Sequence, residues 1–137
     1  MSRNWIFLSL VALASWGFWG FFPKMATQYI SVRSAFFYQA VGSFLVGIAA
    51  LWLVDFRPEW HSRGVLFAIL TGVLGGVGAL FYLAAAVRGR ISVVVTLTAL
   101  YPLVTIMLAR VFLAEPLSLR QGAGMALGLA AMMLMAG

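Results

Sequence analysis

Five stretches without a charged side chain govern what this sequence can fold into. They cover residues 5–22, 34–54, 64–87, 91–109 and 121–137, with lengths of 18, 21, 24, 19 and 17 residues. An α-helix rises about 1.5 Å per residue, so roughly 20 residues cross the hydrocarbon core of a bilayer. The two outer stretches are short, but the first can run past Pro23 and the last can begin near Leu119. The links between them hold 11, 9, 3 and 11 residues, which leaves no room for a soluble domain. The expected fold is an all-α integral membrane protein, one transmembrane domain over 1–137. Its five transmembrane helices are expected near 5–27, 33–54, 64–87, 91–113 and 118–136.

Composition agrees. The chain is 64% hydrophobic and 9% charged, against roughly 45–50% apolar and about 25% charged for soluble domains. A transmembrane β-barrel needs segments of about 10 residues that alternate in polarity. The run 65–70 does not alternate. Arg3, the apolar 5–13 and Ala12-Leu13-Ala14 imitate a signal peptide with its cleavage site. The apolar character continues through Trp16, Phe18, Trp19, Phe21 and Phe22, where a cleavage region turns polar, so the stretch reads as a span.

The net charge of +6 does not point to nucleic acid, because the nine Lys and Arg sit at the ends of apolar runs, where they anchor at lipid headgroups. With no cysteine there is no disulfide or thiolate site. The acids are Asp55, Glu59 and Glu115, and the lone histidine is His61; none lies mid-span. A metal site or an acid–base pair needs several such groups converging, and Ser15, Ser43 and Ser92 have no activating partner at a suggestive spacing. No metal, no cofactor and no enzyme is expected.

An odd number of spans puts the termini on opposite sides. The N-terminal face then carries Arg3, Arg57, Arg63, Arg110 and Arg120; the other carries Lys24, Arg33, Arg88 and Arg90. Orientation follows the excess of Lys and Arg on the cytoplasmic side, and here there is almost none. Either a weak local signal chooses one orientation, or the chain inserts both ways up.

Candidate functional residues lie on three spans. Trp16 and Trp19, three residues apart on the first, are too deep for an interfacial belt, and each has an N–H that needs a partner. Lys24 just past Pro23 either snorkels to the interface or lines a vestibule. Tyr82 is the equivalent polar aromatic of the third span. Thr98, Tyr101, Pro102 and Thr105 recur at helical spacing on the fourth, where Pro102 frees a carbonyl; a cavity or interhelical hydrogen bonds would occupy the hydroxyls. Glu115-Pro116-Leu117-Ser118 reads as a helix start with Pro116 in an early helical position. Gly72, Gly75 and Gly76 on the third span, and Gly124 and Gly128 on the fifth, mark helix packing or a dimer contact.

Trp16-Gly17 with Lys24, Arg33, Tyr82-Leu-Ala-Ala-Ala, Ser92-Val93, Tyr101-Pro102-Leu103, Leu113-Ala-Glu-Pro-Leu117, Gln121-Gly122 and a glycine-rich last helix resemble, in order and spacing, an EamA domain of the drug/metabolite transporter superfamily. The resemblance implies one five-helix half of what is commonly an inverted repeat, with helices one, three and four lining a central cavity. An inverted second copy would complete a midplane site, and balanced flanking charge suits such a protein. The glutamate that four-helix multidrug relatives carry in helix one has no counterpart here. The expectation is a multi-pass protein of the cell (inner) membrane, in the lipid bilayer. It would carry a small-molecule solute by alternating access, as an antiparallel homodimer. The alternative is a non-transporting subunit that joins another membrane protein through helix five.

Overall fold

The computed structural model describes residues 4–136. Among them are six helices and no strand: α1 (Asn4–Ala26), α2 (Val32–Trp52), α3 (Ser62–Arg88), α4 (Ile91–Thr98), α5 (Tyr101–Phe112) and α6 (Leu119–Ala136). They fall into two compact units that divide between Arg88 and Gly89.

In the first unit α3 packs against both α1 and α2. Its buried residues are mostly small: Pro23, Ala35, Ala79, Leu83 and Ala86, with Tyr82 the one large polar member. Lipid gives no hydrophobic drive to helix association, so the helices gain by backbone approach over small side chains. The outward faces are the reverse, and Phe7 (67%), Phe44 (68%) and Phe81 (70%) expose ring surface that only lipid or another apolar partner suits. A Cβ added at Gly76 would meet the Phe36 ring at 3.8 Å, whereas at Gly72 and Gly75 it would meet nothing within 4 Å. One of the three predicted packing glycines therefore serves the α2–α3 contact, and the other two present bare backbone.

The ends of these helices are closed by local chemistry. Pro23 lies inside α1 and has no N–H for the Trp19 carbonyl, yet the helix continues to Ala26. Thr27 then binds the Pro23 carbonyl with both its N–H (3.0 Å) and its hydroxyl (2.8 Å). Ser31 caps α2, accepting from the Ser34 N–H at 3.3 Å. His61 Nδ1 accepts from the Gly64 N–H at 3.3 Å, so the lone histidine caps α3.

In the second unit α4 packs on α6. The fourth apolar run, expected as one helix, is two. Pro102 has no N–H for the Thr98 carbonyl, and the Leu103 N–H turns to the Leu100 carbonyl at 3.0 Å instead of reaching Ala99. The chain stops at Thr98 and restarts at Tyr101. The last helix opens with a reciprocal capping box. The Ser118 N–H and hydroxyl both donate to Gln121 Oε1 at 2.9 Å, and the Gln121 N–H donates to Ser118 Oγ at 3.2 Å. That box places the start at Leu119, so Pro116 lies ahead of the cap and outside the first turn.

By length and composition, α1, α2, α3 and the segment Ile91–Phe112 qualify as membrane spans. At 18 residues α6 is about 27 Å long, just short of the roughly 30 Å core.

Candidate functional site

In the first unit, α1 and α3 are tied by two reciprocal bonds. The Tyr82 hydroxyl of α3 donates to the Gly20 carbonyl of α1 at 2.6 Å, and the Lys24 ammonium of α1 donates to the Ala86 carbonyl of α3 at 2.6 Å. Both pairs are 62 residues apart in sequence, so the two helices run in the same direction, as alternate spans of a membrane bundle do. The lower bond has a clear cause. Ala86 lies in the last turn of α3, whose carbonyls have no helical donors, and a cation at that negative end of the helix dipole is favourable.

These bonds settle where several of the expected residues go. Trp19 lies against Tyr82, with ring centroids 5.2 Å apart and planes inclined by 34°. The Lys24 ammonium caps the end of α3 through the Ala86 carbonyl. Trp16 is on the open side of α1, 62% exposed and apart from this cluster.

Beside the cluster lies a pocket of about 270 Å³, between Trp19, Phe22 and Pro23 of α1, Ala35, Tyr38 and Gln39 of α2, and Leu83 of α3. Tyr38 and Gln39 did not stand out in the sequence. A carboxamide within the otherwise apolar and aromatic start of the second span was the available signal, since such a group costs free energy in hydrocarbon unless it is partnered.

In the second unit, Pro102 and Thr105 line a groove of about 740 Å³ between α5 and α6, and Gly124 and Gly128 form part of its opposite wall. Neither glycine has an atom within 4 Å of its would-be Cβ, so their face of α6 looks into the groove and not onto a packed helix. The polar end of the groove holds Arg110, Glu115 and Gln121, and Arg110 donates to the Glu115 carbonyl at 3.1 Å. Thr98 and Tyr101 are not among its walls. The hydroxyls of the fourth span bind their own helices: Thr96 to the Ser92 carbonyl (2.7 Å), Thr98 to Val94 (2.9 Å) and Thr105 to Tyr101 (3.3 Å). Back-bonding of this kind satisfies a donor in lipid and bends the helix that accepts it. The hydroxyls still have lone pairs to offer a ligand.

Among the described residues no cluster of His, Cys, Asp or Glu has the makings of a metal site. What both units offer is binding surface: aromatic and small apolar walls with a few polar groups. That is the usual make-up of small-molecule sites.

No curated protein and no solved structure matches the chain. Residues 3–137 match the EamA-like transporter family, a match that takes in the α1–α3 clamp, the interrupted fourth span and the capped last helix alike. Helices built for lipid, a proline-broken span and a match over nearly the whole sequence lead to one conclusion: this chain is a multi-pass membrane protein that belongs to the EamA-like transporter family.

Proposed function

We propose that the protein carries small organic solutes (metabolites, amino acids or drug-like compounds) across the cell membrane by alternating access. The working form is a homodimer of oppositely inserted copies. The observation that carries this reading is the break in the fourth span. Discontinuous helices near mid-membrane are where carriers expose backbone groups to solutes, and an interruption is tolerated only where protein or a wet cavity meets the freed groups. Here the break leaves the Thr98 and Ala99 carbonyls without their helical donors. Trp16, Trp19, Tyr82, Thr98, Tyr101, Pro102 and Thr105 are the proposed cavity residues. Lys24 contributes as the clamp that holds α1 to α3. The near balance of Lys and Arg across the membrane supports insertion both ways up.

Flux of radiolabelled amino acids, amines and drug-like compounds into proteoliposomes tests the carrier, and Pro102→Ala should cut any flux by at least about tenfold by letting the helix close. Accessibility labelling of tagged termini tests the dimer. N-termini found on one side only would end the antiparallel proposal while leaving transport standing.

A further inference from the structure

We propose that the pocket between α1, α2 and α3 binds a small, neutral aromatic solute carrying one hydrogen-bonding group, and that Gln39 recognises that group. The site is a claim about binding and stands whether or not the chain moves its ligand.

Three features of the pocket define this ligand. Its walls are flat and apolar, formed by the rings of Trp19, Phe22 and Tyr38 with Leu83 at the back. Aromatic walls favour a ring set offset or edge-on over a flexible chain. The volume of about 270 Å³ lies just below the about 300–1,000 Å³ range of drug-sized sites, which suits one or two rings. Two of the walls, Trp19 and Leu83, are also held before any ligand arrives. Trp19 leans on Tyr82, whose hydroxyl is fixed to Gly20 at 2.6 Å, and Leu83 is 1% exposed. Walls that do not need ordering lower the cost of binding.

The polar groups set the chemistry. Gln39 is half-buried and lies seven residues beyond Val32, about 10 Å along α2 from its start. Its carboxamide has no hydrogen-bond partner among the described residues, and neither do the Trp19 N–H and the Tyr38 hydroxyl. Polar ends without partners in hydrocarbon cost free energy until something supplies the missing bonds. An acyl chain supplies none, so Gln39 discriminates against lipid tails. The lining holds no carboxylate, ammonium or guanidinium. Lys24, next to Pro23, has its ammonium on the Ala86 carbonyl at the end of α3. A charged solute would lose its hydration here without gaining a counter-ion.

Equilibrium dialysis of the full chain in lipid nanodiscs, with empty nanodiscs subtracted, tests the proposal using three probes. Indole has the ring and one N–H, naphthalene has the ring alone, and tryptamine adds a charge. The expected result is saturable binding of one indole per chain, tighter than naphthalene and much tighter than tryptamine. Gln39→Leu should weaken indole by about 2–10-fold and leave naphthalene unchanged, the loss of one neutral hydrogen bond. Trp19→Ala should weaken both. The order of the probes on the unmodified chain decides the matter even if a variant fails to fold. No saturable binding above empty nanodiscs would overturn the proposal. So would displacement of indole by palmitate, tryptamine binding as tightly as indole, or indole binding indifferent to Gln39→Leu in a folded variant.

Discussion

Tyr82→Phe removes one oxygen atom from the α1–α3 contact and leaves the ring. The bond lost is that from the hydroxyl to the Gly20 carbonyl, 2.6 Å long and partly buried. A neutral hydrogen bond contributes about 0.5–1.5 kcal/mol net. Interhelical bonds in membrane proteins average about 0.6 and reach about 1.7 kcal/mol. Gly20 lies within α1, where the Lys24 N–H stands in the helical position to serve its carbonyl, so no acceptor is orphaned and the large penalty for a stranded group does not arise. The Trp19 contact at 5.2 Å survives, because phenylalanine keeps the ring. The expected loss is about 1 kcal/mol, a roughly fivefold change in the unfolding equilibrium. Tyr82→Ala also removes the ring and leaves a void, for about 3–5 kcal/mol. Reversible unfolding in mixed micelles, followed by circular dichroism as the denaturing detergent fraction rises, measures both. If Tyr82→Phe is as stable as the parent, the bond does not join the two helices. If it costs as much as Tyr82→Ala, the ring is not what fills the contact. Either result refutes the reasoning.

Lys24→Met should cost more than Tyr82→Phe, about 1.5–3 kcal/mol in the same assay, because a charged donor is lost from the end of α3, and Lys24→Arg should recover part of it. Ser118→Ala breaks the capping box of α6 and should lower stability by about 0.5–2 kcal/mol, with circular dichroism showing fraying confined to a fraction of the helix signal. Gly76→Leu should destabilise by forcing Phe36 aside, while Gly72→Ala, which meets nothing in the chain, should gain about 0.5–1 kcal/mol from the lost flexibility of glycine; thermal unfolding of the pair distinguishes a packing glycine from an open one.

Much of the architecture could be read along the chain. Charge-free runs locate lipid-crossing helices because a bilayer excludes ionised groups, and that rule needs no knowledge of neighbours. Trp19 and Tyr82 stood out as polar aromatics too deep for an interface, and they meet in space. Pro102 stood out as a break for a purely local reason, its missing N–H. The interruption of the fourth span at Ala99 and Leu100 is the same fact carried further, since the loss of one donor led Leu103 to choose a nearer carbonyl.

Other roles depended on partners far away in sequence. Lys24 reads along the chain as an interface or vestibule residue, and its bond to the end of α3 is invisible there because the carbonyl that accepts it lies 62 residues on. Gly72, Gly75 and Gly76 are equivalent as letters, yet only Gly76 has an aromatic ring above it. Gln39 drew no notice in its own helix and gains meaning only from the aromatic walls that α1 brings beside it. The sequence by itself determined the solvent, the class of fold and the approximate extent of the spans, because these follow from transfer free energy and from hydrogen bonds a few residues apart. Tertiary structure alone decided which polar groups find partners and which face a pocket, because in lipid the value of a donor or acceptor is set by whatever the neighbouring helix places opposite it.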